Sequence, residues 1–158
     1  MKKYILLLIT VLVVGFTAFA DGKIYKGNCR YSNKCLYTYR DGKVFRGNSH
    51  YISDVAYTFK SGKIYRGNST YSSDLLSTYQ GGHAYKKDLV YNSEVLWSYS
   101  TGRVYRGMSL YRNDCLLTIT NDHVYLGDSS YASDILITYD GYIPIPVLVL
   151  CTLNSIYY

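Results

Sequence analysis

The sequence predicts an all-β protein: six tandem 20-residue β-hairpin repeats forming an antiparallel meander, followed by a C-terminal cap. Three observations predict it. Residues 21–140 divide without insertion into six units of twenty, beginning at Asp21, Asp41, Ser61, Gly81, Thr101 and Asn121, and a fixed short period marks a repeat architecture. Stretches such as "DVAYTFK" and "KIYRGN" alternate and are rich in β-branched and aromatic residues, as strands are. Between them stand Asp41-Gly42, Ser61-Gly62, Gly81-Gly82 and Thr101-Gly102, which signal two-residue hairpins because that turn needs φ > 0.

Residues 1–20 precede the repeats and read as a secretory signal peptide. Lys2 and Lys3 form the positive start, "YILLLITVLVVGF" the apolar stretch, and "AFA" at 18–20 a small-x-small cleavage motif. A transmembrane anchor is disfavoured because the apolar run is short and ends in that motif. Cleavage after Ala20 makes Asp21 the first mature residue, where the first repeat also begins. The chain is therefore expected to be exported, to the periplasm, the cell surface or the medium. The two-lysine start points to a bacterial source. Losing Lys2 and Lys3 lowers the net charge from +6 to +4. Such a mild excess suits lipid headgroups or acidic polysaccharide, though a solvated basic face explains it more simply. Nucleic acid is not an expected partner.

Within the repeat domain, residues 21–140, aromatic residues recur by place. The fifth place is Tyr25, Phe45, Tyr65, Tyr85, Tyr105 and Tyr125; the eleventh is Tyr31, Tyr51, Tyr71, Tyr91, Tyr111 and Tyr131. A two-residue turn cannot carry the chain the ~10 Å between stacked sheets, so the strands it joins are neighbours in one sheet. The longer polar connection, as in "GNSTYSSD", leads to the next strand. About twelve short strands result, in an open array or a closed barrel.

The turn sets a register. Tyr37 is predicted to face Arg46, Tyr57 to face Arg66, and Trp97 to face Arg106. Ser77 faces Lys86, and Leu117 faces Leu126. Cross-strand cation–π contact explains the aromatic–Arg pairs, at ~0.5–1 kcal/mol for an exposed pair. The same register places Tyr39, Phe59, Tyr79, Tyr99 and Ile119 against Val44, Ile64, Ala84, Val104 and Val124. By simple alternation that face also gathers Cys35, Val55, Leu75, Val95, Cys115 and Ile135, and it is the expected core. The opposite face, with Thr38, Thr58 and Phe45, is the more amphipathic one.

Residues 141–158 change composition and hold both prolines, Pro144 and Pro146. The segment is expected to be an apolar cap covering the end of the last hairpin, as a strand or a short helix starting near Pro146.

The phrase "TYRDGKVFRGN", residues 38–48, resembles the Gly/Tyr core of MORN-type hairpin repeats. The twenty-residue aromatic period is similar to choline-binding cell-wall modules. These resemblances imply a non-catalytic array acting as a scaffold, membrane-associated module or wall-binding module. They assign no functional residue here.

Catalytic or metal chemistry finds little footing. Cys29 and Cys35 flank one connecting loop and could close it by a disulfide. Cys35 and Cys115 share a repeat place and read as buried thiols substituting for Val or Leu. No Cys-x-x-Cys pair supports zinc, and no nucleophile-elbow, phosphate-loop or H-E-x-x-H motif occurs. His83 and His123 are expected to be solvated turn-flanking residues. Asp54, Asp74, Glu94, Asp114 and Asp134 recur at the fourteenth place, where loop hydrogen bonds explain them better than calcium. The fourth unit departs most, with Lys87, Asp88 and Leu89 for Gly-Asn-Ser. Tyr91, Trp97 and Arg106 are the candidate ligand-binding residues.

The expected function is an exported, non-catalytic structural or adhesive protein, with no cofactor. Its partner would be surface polysaccharide or another protein, with membrane contact but no span. The alternative is a carbohydrate or cell-wall binding module stacking sugars on Tyr and Trp97. A third reading, suggested by Tyr157-Tyr158, is an outer-membrane barrel.

Overall fold

The computed structural model describes residues 21–157. The proposed signal peptide, residues 1–20, lies outside the described residues. Twelve antiparallel strands follow one another: β1 (Gly22–Lys26), β2 (Cys35–Arg40), β3 (Lys43–Arg46), β4 (Val55–Lys60), β5 (Lys63–Arg66) and β6 (Leu75–Gln80) lead to β7 (His83–Lys86), β8 (Val95–Ser100), β9 (Arg103–Arg106), β10 (Cys115–Ile119), β11 (His123–Leu126) and β12 (Ile135–Asp140). One helix, α1 (Ile145–Tyr157), ends the chain.

The tight turns form where the dipeptides stand. Asp41 and Gly42 take φ of 50° and 75°, and Thr101 and Gly102 take 48° and 79°. Positive φ at both central residues matches the right-handed twist of the strands. The expected register follows: Tyr37 pairs with Arg46, Tyr57 with Arg66, Ser77 with Lys86, Trp97 with Arg106 and Leu117 with Leu126.

Of the two architectures the sequence allowed, the chain adopts the closed one. Strand β1 pairs with β2 on one side and with β12 on the other, so the meander is a barrel. Lys23 faces Asp140, Ile24 faces Tyr139 and Tyr25 faces Thr138, the alignment that Lys43, Val44 and Phe45 make with Arg40, Tyr39 and Thr38. The sixth hairpin is thus built from the two ends of the repeat domain. Closure leaves no unpaired sheet edge. A polar belt also runs around the wall, from the third place of one unit to the eighth of the next. Lys43 Nζ donates to Asn68 at 2.7 Å, Lys63 pairs with Asp88 at 2.8 Å and Arg103 with Asp128 at 2.7 Å. The His123 ring lies 3.1 Å from Asn28, carrying the belt across the seam.

The expected core face needs one correction. A bulge recurs where each unit enters its second strand: Val44 pairs with Tyr57 but Phe45 pairs with Val55, leaving Ala56 as the extra residue. One extra residue reverses which face the preceding side chain takes. Cys35, Val55, Leu75, Val95, Cys115 and Ile135 therefore share the outer face with the fifth-place aromatics, and Cys35 Sγ lies 3.9 Å from Thr38 Oγ1. Leu36, Leu116 and Leu136 instead pack against the interior. The outer face is itself buried beneath the connecting loops, and Thr38 is fully buried while Phe45 is 4% exposed.

The C-terminal segment is a helix, and it does more than cover an end. Val147, Leu148, Val149, Cys151 and Thr152 are all buried, so α1 is enclosed on most of its circumference. Its core partners include Ile24, Val44, Ala84, Val104, Val124 and Ile137, and Tyr79 of the third unit packs against the same cluster. Twelve strands at about 4.8 Å spacing make a wall roughly 58 Å around, or about 18 Å across before tilt. A helix with side chains is about 10–12 Å wide. It therefore fits only where the wall carries short side chains, and the fourth place supplies Val, Ile or Ala in every unit.

Candidate functional site

The most regular exposed feature is a set of tyrosines. Tyr31, Tyr51, Tyr71, Tyr91, Tyr111 and Tyr131 are 68–79% exposed, one per unit, on the loops at the end of the barrel opposite the tight turns. Their backbone is held closely. Gly47, at φ 62°, donates its N–H to Leu36 O at 2.8 Å and accepts the buried Thr38 hydroxyl at 2.9 Å. In the third unit the next turn is locked by Ser69, whose hydroxyl accepts the Tyr71 N–H at 3.1 Å and donates to Asp74 at 2.5 Å. Ser49 with Asp54, Ser109 with Asp114 and Ser129 with Asp134 repeat the bracket. The fourteenth-place carboxylates named here are thus engaged in loop hydrogen bonds. A short 3₁₀ turn follows each tyrosine, as Ile52–Asp54 follows Tyr51. The ring is therefore presented on an ordered support, its face and hydroxyl both open to solvent.

Two units lack the bracket. In the first, Cys29 and Lys34 occupy the Ser and Asp places. In the fourth, Lys87 takes the glycine conformation at φ 52°, and the Thr78 hydroxyl reaches the Asp88 carboxylate at 3.4 Å instead of a loop carbonyl. Lys63, hydrogen-bonded to Asp88, holds that carboxyl below its usual range, as Arg103 does for Asp128.

The candidate ligand residues do not form one site. Tyr91 is exposed on its loop, whereas Trp97 is 7% exposed, faces the interior and stacks at 5.6 Å on Tyr79. Trp97 cannot stack on a sugar from solvent, which corrects its expected role. Arg106 pairs with it across the strands and remains exposed at the barrel mouth. The loop-closing disulfide is not formed either: Cys29 and Cys35 are free thiols, and Cys29 Sγ donates to Lys26 O at 3.2 Å. The full tyrosine set was readable in the sequence as an aromatic recurring inside a polar Ser/Asn/Asp connection, where no core position would lie.

The interior holds a second feature. A cavity of about 700 Å³ separates one face of α1 from the wall of the second to fifth units. Leu76, Leu96, Leu116, Leu150 and Leu153 line it, with Trp97, and Arg46 and Arg66 stand at its mouth. Asn154 Nδ2 donates to the Tyr57 hydroxyl at 2.7 Å across it. Burial pushes the Tyr37 phenol up to about 12, and raises those of Tyr39, Tyr79 and Tyr139.

No curated protein and no solved structure matches the chain. One family model does, described as a 6-fold beta flower protein, over residues 20–148. It carries the coarser resemblance, to short hairpin repeats, and lends nothing to the MORN-type or choline-binding likeness. Six units, a closed ring of hairpins and a match over most of its length place this chain in the 6-fold beta flower family.

Proposed function

We propose that this structural repeat protein is an exported, non-catalytic adhesive protein whose tyrosine set binds a surface polysaccharide. One observation carries the reading: six tyrosines in equivalent loops are each more than two-thirds exposed on hydrogen-bonded backbone. Exposed aromatics on an ordered support lose little entropy on binding, and a polymer can meet several at once. The mild basicity favours an acidic polymer. The carbohydrate-module alternative keeps its exposed tyrosines but loses Trp97 as a stacking platform. Against the outer-membrane reading stand strands of four to six residues, short of the roughly nine to eleven a spanning strand needs.

Retention of the purified chain on immobilised acidic and neutral polysaccharides tests this. Saturable retention by one polymer, reduced at least tenfold in a Tyr51→Ala/Tyr71→Ala/Tyr111→Ala variant with unchanged melting, is expected. Equal retention of that variant would remove the tyrosines from the function.

A further inference from the structure

The cavity beside α1 exists because the wall departs from its own repeat there. At the sixteenth place Ala56 stands where the other units carry Leu36, Leu76, Leu96, Leu116 and Leu136. At the seventeenth, Ser77 stands among Tyr37, Tyr57, Trp97, Leu117 and Ile137. Both line the space. The helix offers it Pro146, Leu150, Leu153 and Asn154, spaced to fall on one face, while the remaining faces pack tightly. About 700 Å³ lies within the usual range for small-molecule sites.

The mouth carries charge. Lys26, Arg46, Arg66, Lys86 and Arg106 occupy the sixth place of successive units, and all are exposed. Among the described residues, none of the five is ion-paired to a carboxylate, whereas Arg40, Lys63, Arg103 and Arg112 all are. Arg46 and Arg66 stand at the cavity itself. An apolar slot opening onto an unneutralised cationic arc is complementary to one ligand chemistry: an apolar tail bearing an anionic head.

We propose that the barrel interior binds a single-chain anionic amphiphile, its tail between α1 and the Leu76, Leu96 and Leu116 wall and its carboxylate or phosphate head on Arg46 and Arg66. Guanidinium groups suit either head through paired hydrogen bonds, and each tail methylene removed from water contributes about 0.8 kcal/mol. This site is separate from the tyrosine loops and stands whether or not they bind polysaccharide.

Trp97, the sole tryptophan and a wall residue of the cavity, reports on occupancy. The purified chain is titrated with dodecanoate and with dodecyl phosphate below micelle formation, following Trp97 emission, with dodecanol and dodecyltrimethylammonium as controls. Saturation near one equivalent by one or both anions is expected, with at least tenfold weaker binding of the controls. The carboxylate and phosphate arms identify the head. Arg46→Gln/Arg66→Gln should weaken anion binding at least tenfold. Ser77→Leu, which fills the slot without touching the arginines, should abolish it while leaving the melting temperature unchanged or higher. The proposal is overturned by no saturable change in emission, equal binding of the controls, full binding by Ser77→Leu, or an arginine variant that melts lower yet binds as before. The last would mean that the cations serve only the carboxyl end of α1. Co-sedimentation with anionic phospholipid vesicles without monomer binding would also overturn it, in favour of a membrane surface.

Discussion

Single backbone positions set the limits of this repeat. Gly42 combines φ of 75° with a backbone oxygen, Phe59 O, only 2.7 Å from where a Cβ would sit. Gly42→Val should therefore cost about 2–3 kcal/mol in urea unfolding. His50→Ala should cost under about 1 kcal/mol, because His50 loses only an edge contact with Phe45 at 6.4 Å. Equal losses would contradict the turn. Lys87 gives the opposite case. It holds φ 52° where four other units use glycine at 56–68° and Gly47 at 62°. Lys87→Gly should raise stability by about 1 kcal/mol, seen as a higher melting temperature, since it removes left-handed strain. The irregular fourth unit was visible in the sequence; the strain in it was not, because φ is a property of the folded loop.

The hairpin and its loop act as one element, joined by the eighteenth-place hydroxyl. Thr138 is 2% exposed and donates to Gly27 O at 2.8 Å, tying the last strand to the first connection. Thr138→Val should lower stability by about 1–2 kcal/mol, since a partly buried carbonyl loses its donor. Thr78→Val should cost less, because its hydroxyl reaches only a solvated carboxylate at 3.4 Å. A larger loss at Thr78 than at Thr138 would sink this account of the loops. The alternation of residues correctly located Thr38 and Thr58, at the same place of their units, on the face opposite the aliphatic fourth place. It misplaced Cys35 and Val55, since a bulge is made by the loop's hydrogen bonds to Leu36 O and Ala56 O and leaves no mark in a hydrophobic pattern.

At the scale of the molecule, stability rests on α1 within the barrel. Leu148 is 1% exposed at the centre of the shared core. Leu148→Ala should cost about 3–5 kcal/mol, as the enclosing wall has little freedom to collapse onto the gap. The interior tyrosines add a pH dependence. Burial raises the phenols of Tyr37, Tyr39, Tyr79 and Tyr139, so folding favours their neutral form. That contribution is complete below the ordinary value of 10.0 and is lost as pH rises toward about 12, the value for Tyr37. Melting temperature should fall between pH 10 and 12, and Tyr37→Phe should flatten the fall. An unchanged slope in that variant would remove Tyr37 from the effect.

The twenty-residue unit, its tight turns, its strand register and the exposed tyrosine place were determined by sequence alone. Each depends on residues within one unit, through turn dihedrals and the two-residue period of a strand. Closure, the bulged face, the burial of Trp97 and the course of α1 were decided by the tertiary structure. Whether Lys23 meets Asp140 depends on twist summed over twelve strands, a quantity no single unit contains. Once the ring closes, its interior is too wide for wall side chains to fill, and the apolar C-terminal segment becomes the filling instead of a cover. The partial vacancy beside it follows from Ala56 and Ser77, two departures from the repeat that acquire meaning only when their side chains face a common interior.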